Sequence, residues 1–130
     1  MSSIRQILAA VLGGSGGGAA APRSIKPAEV TQDLANLQLI DVREHDEWKS
    51  GHIAGAVHIS LGRLEHSIGS IDGRRKVAVI CHSGVRSQRA ARMLRGHSLE
   101  AASVSGGMLA WARAGLPVVR GSSAGGGHHR

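Results

Sequence analysis

The sequence predicts an α/β fold with a central, mostly parallel sheet of about five strands and helices on both faces. Short apolar runs, typical of buried strands, alternate along the chain with segments of helical periodicity. Such alternation is typical of parallel sheets covered by helices. The length of 130 residues suits one compact domain with additional tails.

The first half of the domain is divided by proline and glycine. Pro27 is tolerated in the first turn of a helix predicted over 26–37. The segment 38–42 predicts a buried strand, and a short helix over 44–49 ends at Gly51. The next two elements are a short strand and a helix, predicted over 56–59 and 61–67.

The second half is built around an apolar strand predicted over 76–80, which follows a turn at Asp72 and Gly73. A loop comes next, and then a helix that ends near Gly96. The last two elements are a strand over 101–105 and a helix over 107–114, which Gly115 and Pro117 close.

Both ends of the chain differ in composition from its middle. We predict a short helix and a flexible Gly/Ala-rich segment in 1–23, the folded domain in 24–120, and a disordered Gly/His tail in 121–130. Apolar residues of the first segment fall on one helix face, a candidate dock for a partner: Ile4, Ile7, Leu8, Val11 and Leu12.

The chain is basic, with 16 Lys and Arg against 9 Asp and Glu and a formal charge of +7. Such a balance first suggests nucleic-acid binding. However, no basic run occurs, and no aromatic platform for stacking bases lies among the arginines. We therefore expect no nucleic-acid partner and connect the charge with attraction of small anions or with solubility.

Cys81 is the only cysteine, so an internal disulfide is excluded and a reducing compartment is favoured. The N-terminus is weak as a signal peptide in both its basic and its apolar part. No apolar stretch approaches the ~20 residues that cross a bilayer. We expect a cytoplasmic protein without a membrane span.

Cys81 lies where a nucleophile would be placed, between the strand 76–80 and a helix. A tight loop at this point aims backbone N–H groups at one spot, which attracts anions and stabilises a thiolate. Gly84 permits the tight turn and Arg86 adds a positive charge. The candidate substrate-binding loop is formed by His82, Ser83, Gly84, Val85, Arg86 and Ser87.

Four blocks resemble the single-domain form of the rhodanese family in order and spacing, over about residues 24–120. They are Asp41-Val42-Arg43-Glu44 with Glu47-Trp48, Gly51-His52-Ile53-Ala54-Gly55-Ala56, Cys81 through Ser87, and Gly106-Gly107-Met108-Leu109-Ala110-Trp111 with Gly115-Leu116-Pro117-Val118. The resemblance implies a parallel-sheet fold and a sulfurtransferase that carries a sulfane sulfur as a persulfide of Cys81.

The same resemblance implies a small anionic donor such as thiosulfate and an acceptor such as cyanide or a thiol. A sulfur-relay protein is a possible partner, and neither a cofactor nor a metal ion is expected. Asp41 and Arg43 end a strand beside the Cys81 loop. We expect Asp41 to accept hydrogen bonds from backbone amides and Arg43 to pair with Glu47 or Asp46.

Two alternatives stay open. Phosphatases and arsenate reductases of the same fold place one residue more between Cys and Arg, so the four residues here favour a single sulfur over a tetrahedral oxyanion. A non-catalytic module that binds a partner or reports persulfide or oxidant status is the other alternative. Arg86 is either an anchor of the loop or a cation for the donor, and His82 is either a substrate contact or a loop filler.

Overall fold

The computed structural model describes residues 23–121. A single five-stranded sheet forms its centre, with spatial order β1-β5-β4-β2-β3 and parallel pairing between all neighbours. The strands are β1 (Ser24–Ile25), β2 (Leu37–Asp41), β3 (Val57–His58), β4 (Lys76–Ile80) and β5 (Ala101–Val104). The predicted α/β fold with a parallel sheet of five strands is confirmed.

The described residues form five α-helices: α1 (Pro27–Gln32), α2 (His45–Ser50), α3 (Leu61–Leu64), α4 (Val85–Gly96) and α5 (Gly107–Arg113), the last of which follows β5. Two 3₁₀ segments, Leu34–Asn36 and Glu65–Ser70, follow α1 and α3. The helices cover both faces of the sheet, because α1, α2 and α5 contribute to one apolar cluster and α3 and α4 to another.

The two-residue period of β4 divides its side chains between these two clusters. Ala78 and Ile80 pack on the side that contains Trp48 and Trp111, both only 1% exposed. Val77 and Val79 pack on the opposite side, against α4, and Cys81 follows them on that same side. The tryptophans are therefore core residues, and Cys81 points toward α4.

The first predicted helix was too long. It ends at Gln32, a 3₁₀ segment follows, and β2 already begins at Leu37. Asp33 ends the helix because its carboxylate accepts a hydrogen bond from the Asn36 side chain at 2.7 Å, which stabilises a turn instead of a further helical turn. Leu37 pairs with Lys76 in the parallel ladder and packs in the core.

The predicted helix over 61–67 is α-helical only to Leu64 and continues as 3₁₀ structure. Gly62 and Gly69 disfavour an α-helix here, and the hydroxyl of Ser67 donates to the Arg63 carbonyl at 3.0 Å. The sequence patterns also missed β1, because a two-residue strand is too short to show a period. Ile25 of β1 pairs with Val104 of β5.

The predictions for the apolar N-terminal stripe, the Gly/Ala-rich segment and most of the C-terminal tail lie outside the described residues. The division of the chain into three parts stays a prediction. No helix within residues 23–121 is long and apolar enough to cross a membrane.

Candidate active site

The side chain of Cys81 receives two backbone hydrogen bonds at the carboxyl end of β4. The N–H groups of Gly84 and Ser87 donate to Sγ at 3.1 and 3.3 Å. Gly84 is the N-cap of the twelve-residue helix α4 and Ser87 lies in its first turn, so the N-terminal end of that helix faces the sulfur. Amides and a helix N-terminus favour negative charge, and this arrangement therefore favours a thiolate or another anionic sulfur at this point.

Gly84 makes the loop tight enough for this convergence. Its φ of 115° lies in the region that favours glycine, and it is the N-cap of α4. A side chain at this position would have to adopt a strained backbone conformation. The turn therefore depends on glycine, as the sequence predicted.

A chain of hydroxyl groups lies beside the sulfur. The Cys81 thiol donates to Ser87 Oγ at 3.4 Å, and Ser87 Oγ lies 2.7 Å from Ser103 Oγ of β5. Ser87 and Ser103 are 0% and 2% exposed, so neither hydroxyl depends on water for a partner. Sequence patterns missed Ser103; its only signal was its place near the end of a strand beside β4.

The N-terminus of α5 is hydrogen-bonded to the backbone of the Cys81 loop. Met108 N–H donates to the Cys81 carbonyl at 2.8 Å, and Leu109 N–H donates to the His82 carbonyl at 3.1 Å. Gly107 makes this approach possible, since a Cβ there would lie 2.5 Å from each of those carbonyl oxygens. In the sequence, Gly106 and Gly107 were noted only as part of a family resemblance, and no contact was predicted for them.

Arg86 forms a bidentate ion pair with Glu47 of α2, with N–O distances of 2.6 and 2.8 Å. The hydrogen bonds from Arg86 lower the pKa of Glu47 to about 2, and the same pairing raises the pKa of Arg86. Glu47 also accepts the N–H of Glu44 at 2.9 Å, so it connects the start of α2 to the Cys81 loop. The geometry favours the anchoring role of Arg86, and sequence patterns did not identify Glu47 as its partner.

This ion pair predicts a pH-dependent contribution to stability. The folded pKa of about 2 lies below the ordinary value of 4.5, so Glu47 stabilises the fold fully above about pH 4.5. That contribution is lost as the pH falls toward 2. Urea unfolding should therefore show that Glu47→Gln lowers the free energy of unfolding most near neutral pH and progressively less in acid.

The matched control is the same substitution in an Arg86→Gln background, where the partner of the carboxylate is absent. In that background the loss of unfolding free energy caused by Glu47→Gln should depend much less on pH. A difference that is constant from about pH 6 to about pH 3 in the Arg86 background would contradict the assigned pairing.

Asp41 and Arg43 form a buried ion pair at the edge where β2 ends. Asp41 pairs with Ile80 in the ladder, directly before Cys81. Its carboxylate accepts from Arg43 N–H at 3.0 Å and from the guanidinium at 2.8–3.1 Å, and the guanidinium also donates to the Gly51 carbonyl at 2.6 Å. The expected bonding of Asp41 to a backbone amide is present.

The expected pairing of Arg43 with Glu47 or Asp46 was wrong. The Arg43 side chain is only 5% exposed and turns inward, where Asp41 and a carbonyl satisfy its donors. Glu47 is occupied by Arg86 instead. The spacing of acidic residues along α2 could not predict the partner of Arg43, because the pairing depends on which arginine side chain the fold buries.

Asp41→Asn should lower the free energy of unfolding by about 2 kcal/mol, because it removes charge from a buried, hydrogen-bonded pair. Asp72→Asn is a matched control. Asp72 likewise accepts from the amide and guanidinium of the arginine two residues later, but that arginine side chain is 90% exposed. Chemical denaturation should show a clear loss for the first variant and a much smaller one for the second. Equal losses of unfolding free energy in the two variants would show that burial of the ion pair does not determine its contribution.

The remaining loop residues face outward. His82 and Ser83 are exposed, and Val85 is 68% exposed, whereas Gly84 and Ser87 are buried. The structure thus places His82 where a substrate could meet it but gives its ring no described partner.

His52, by contrast, is buried and its Nδ1 lies 2.8 Å from the Trp48 carbonyl, as expected for a histidine that satisfies a nearby carbonyl. Within residues 23–121, no group of His, Cys, Asp and Glu could hold a metal ion.

Comparison with known proteins identifies the family. The family model of the rhodanese-like domain matches residues 26–114. The thiosulfate sulfurtransferase GlpE of Shewanella oneidensis is 35% identical over 80 residues, which are 61% of this chain and 79% of that protein. The HTH-type transcriptional regulator Rv0324 of Mycobacterium tuberculosis is 34% identical over 98 residues. That alignment covers 74% of this chain but only 43% of the regulator.

Solved structures share the fold. A crystal structure of a rhodanese-related protein from Thermoplasma volcanium superimposes with a TM-score of 0.72 and 34% sequence identity, covering 75% of this chain and 97% of that one. A thiosulfate sulfurtransferase from Pseudomonas aeruginosa gives a TM-score of 0.71 at 22% identity, covering 82% of this chain and 21% of that one, and so shows the fold alone.

Proposed function

The chain belongs to the rhodanese-like domain family, and from this premise we propose that it is a sulfurtransferase that carries a sulfane sulfur as a persulfide of Cys81. The observation that carries the proposal is the pair of N–H groups, from Gly84 and Ser87, that converge on Sγ at the N-terminal end of α4. A relative named as a thiosulfate sulfurtransferase supports the same reaction type.

The reaction divides into two steps. The Cys81 thiolate attacks the outer sulfur of thiosulfate, the sulfur–sulfur bond of the donor breaks, and sulfite leaves with the electron pair. An acceptor, cyanide or a thiolate, then attacks the outer sulfur of the persulfide, and the electron pair returns to Sγ. Both steps are nucleophilic displacements at sulfur that need no general base once the thiolate is formed.

The surroundings suit an anionic sulfur carrier. Cys81 is 1% exposed, so the outer sulfur, which extends beyond Sγ, becomes the atom that an acceptor meets. Arg86, paired with Glu47, holds the loop that surrounds the sulfur in place. We further propose that the protein works in the cytoplasm, where its single thiol would stay reduced, and that a relay protein can serve as acceptor.

Steady-state kinetics test this proposal. With thiosulfate and cyanide varied together, we expect thiocyanate production with parallel double-reciprocal lines, the pattern of a ping-pong mechanism. Intersecting lines would show that both substrates must be bound together and would contradict a covalent carrier.

A second candidate is a module that holds sulfur and reports it. The similarity to a transcriptional regulator favours it, since that protein contains a matching segment within a longer chain. Turnover distinguishes the two candidates, because a carrier cycles whereas a reporter keeps its sulfur. The phosphatase alternative is disfavoured by the four residues between Cys81 and Arg86; hydrolysis of an aryl phosphate that depends on Cys81 would revive it.

A further inference from the structure

An open pocket of about 550 Å³ adjoins the Cys81 loop. Its lining residues are Glu44, Leu61, Gly62, Arg86, Arg89, Arg92 and Met93. Leu61 and Met93 also pack against the apolar cluster that contains Cys81, and Arg86 belongs both to the pocket lining and to the Cys81 loop. The volume falls within the range of about 300–1,000 Å³ that is usual for small-molecule sites. It is far larger than thiosulfate or cyanide requires.

Two of the three arginines in the pocket lining have no carboxylate partner among the described residues. Arg86 is paired with Glu47, but within residues 23–121 no carboxylate pairs with the exposed Arg89 and Arg92. Glu44 is the one carboxylate in the lining. Arg95, which continues the same spacing along α4, instead donates to the Ala101 carbonyl at 3.0 Å. Of the four arginines of α4, Arg95 supports the sheet and Arg86 is paired with Glu47. Arg89 and Arg92 line the pocket, and no carboxylate of the described residues pairs with them.

We propose that the pocket binds the carbon skeleton of a low-molecular-weight thiol with at least two carboxylates, and that this thiol is the sulfur acceptor. Arg89 and Arg92 contact the carboxylates, and the side chains of Leu61 and Met93 contact the aliphatic part. The inference rests on the proposed function. In the transfer step the acceptor thiolate bonds to the outer sulfur, the bond from that sulfur to Sγ breaks, and Cys81 regains its electron pair as a thiolate.

The test compares acceptors that differ in charge. Full-length protein loaded with thiosulfate is mixed with mercaptosuccinate, with the neutral 2-mercaptoethanol, or with cyanide, and single-turnover rates are measured. For each acceptor the rate of the Arg89→Gln/Arg92→Gln double variant is divided by that of the unchanged protein, so the intrinsic reactivity of the acceptor cancels. We expect about a tenfold loss of the second-order rate constant with mercaptosuccinate and less than about a twofold change with 2-mercaptoethanol.

The matched control is Arg113→Gln/Arg120→Gln, which removes the same charge from exposed positions outside the pocket lining. Cyanide is also anionic, so a similar loss with cyanide and mercaptosuccinate would show general attraction of anions and overturn the proposal. So would a loss of the same size in the control variant, or equal ratios for mercaptosuccinate and 2-mercaptoethanol.

Binding provides a readout that does not depend on turnover. S-methylated mercaptosuccinate cannot accept sulfur, and calorimetric titration of the unloaded protein should show binding that weakens about tenfold in the pocket double variant but not in the control variant. If loading with thiosulfate fails while this binding is present, the proposed function is wrong and the pocket assignment stands. If loading and transfer to cyanide succeed without such binding, the pocket assignment is wrong.

Discussion

Cys81→Ser should reduce thiosulfate-dependent production of thiocyanate at least about a thousandfold. A serine hydroxyl is similar in size and can keep the hydrogen bonds from Gly84 and Ser87, but it is a far weaker nucleophile at neutral pH and cannot form a persulfide. The loss therefore reports chemistry, provided that thermal unfolding of the variant resembles that of the unchanged protein. Initial rates of thiocyanate formation at saturating thiosulfate provide the measurement.

Because Cys81 is the only cysteine, no other thiol in the chain can take over its role. Residual activity within about tenfold of the unchanged protein would contradict covalent catalysis by this residue. It would direct attention to a mechanism in which the loop only brings donor and acceptor together.

Gly107→Ala should lower the free energy of unfolding by about 4 kcal/mol and impair sulfur transfer at the same time. The added Cβ would lie 2.5 Å from the carbonyl oxygens of Cys81 and His82, a distance at which the backbone must move. The φ of +59° adds conformational strain for any residue with a side chain. Denaturant unfolding measures the first effect and the thiosulfate–cyanide assay the second.

Gly115→Ala is the matched control for this substitution. Gly115 also has a positive φ, +72°, but a Cβ there would meet nothing within 4 Å. This variant carries the conformational strain alone, about 1–2 kcal/mol, and should keep its sulfur transfer. Similar losses in the two variants would show that the close approach of α5 to the Cys81 loop has little energetic importance.

The fold could be predicted to a large extent because its main strands are short apolar runs separated by glycine, proline and helical periodicity. The strand over 76–80 was predicted with its observed limits, and the end of α4 near Gly96 was correct. The end of α1 was not, since a single turn around Asp33 replaced helix by 3₁₀ structure. Element boundaries depend on such local side-chain hydrogen bonds, which periodicity does not contain.

The candidate site was predictable where neighbours in sequence make the contacts. The N–H groups that reach Sγ belong to Gly84 and Ser87, which lie only three and six residues after Cys81. The partners contributed by other elements were missed: Glu47 from α2 and Ser103 from β5. These contacts depend on strand order and helix packing, and they became visible only with the three-dimensional arrangement.

Intact mass spectrometry after thiosulfate treatment tests the central claim most directly. Incubation of the reduced, unchanged protein with thiosulfate should add the mass of one sulfur atom, cyanide should then remove it, and Cys81→Ser should show neither change. Addition of sulfur to the Cys81→Ser protein, or no addition to the unchanged protein under conditions in which it produces thiocyanate, would contradict a Cys81 persulfide as the carrier.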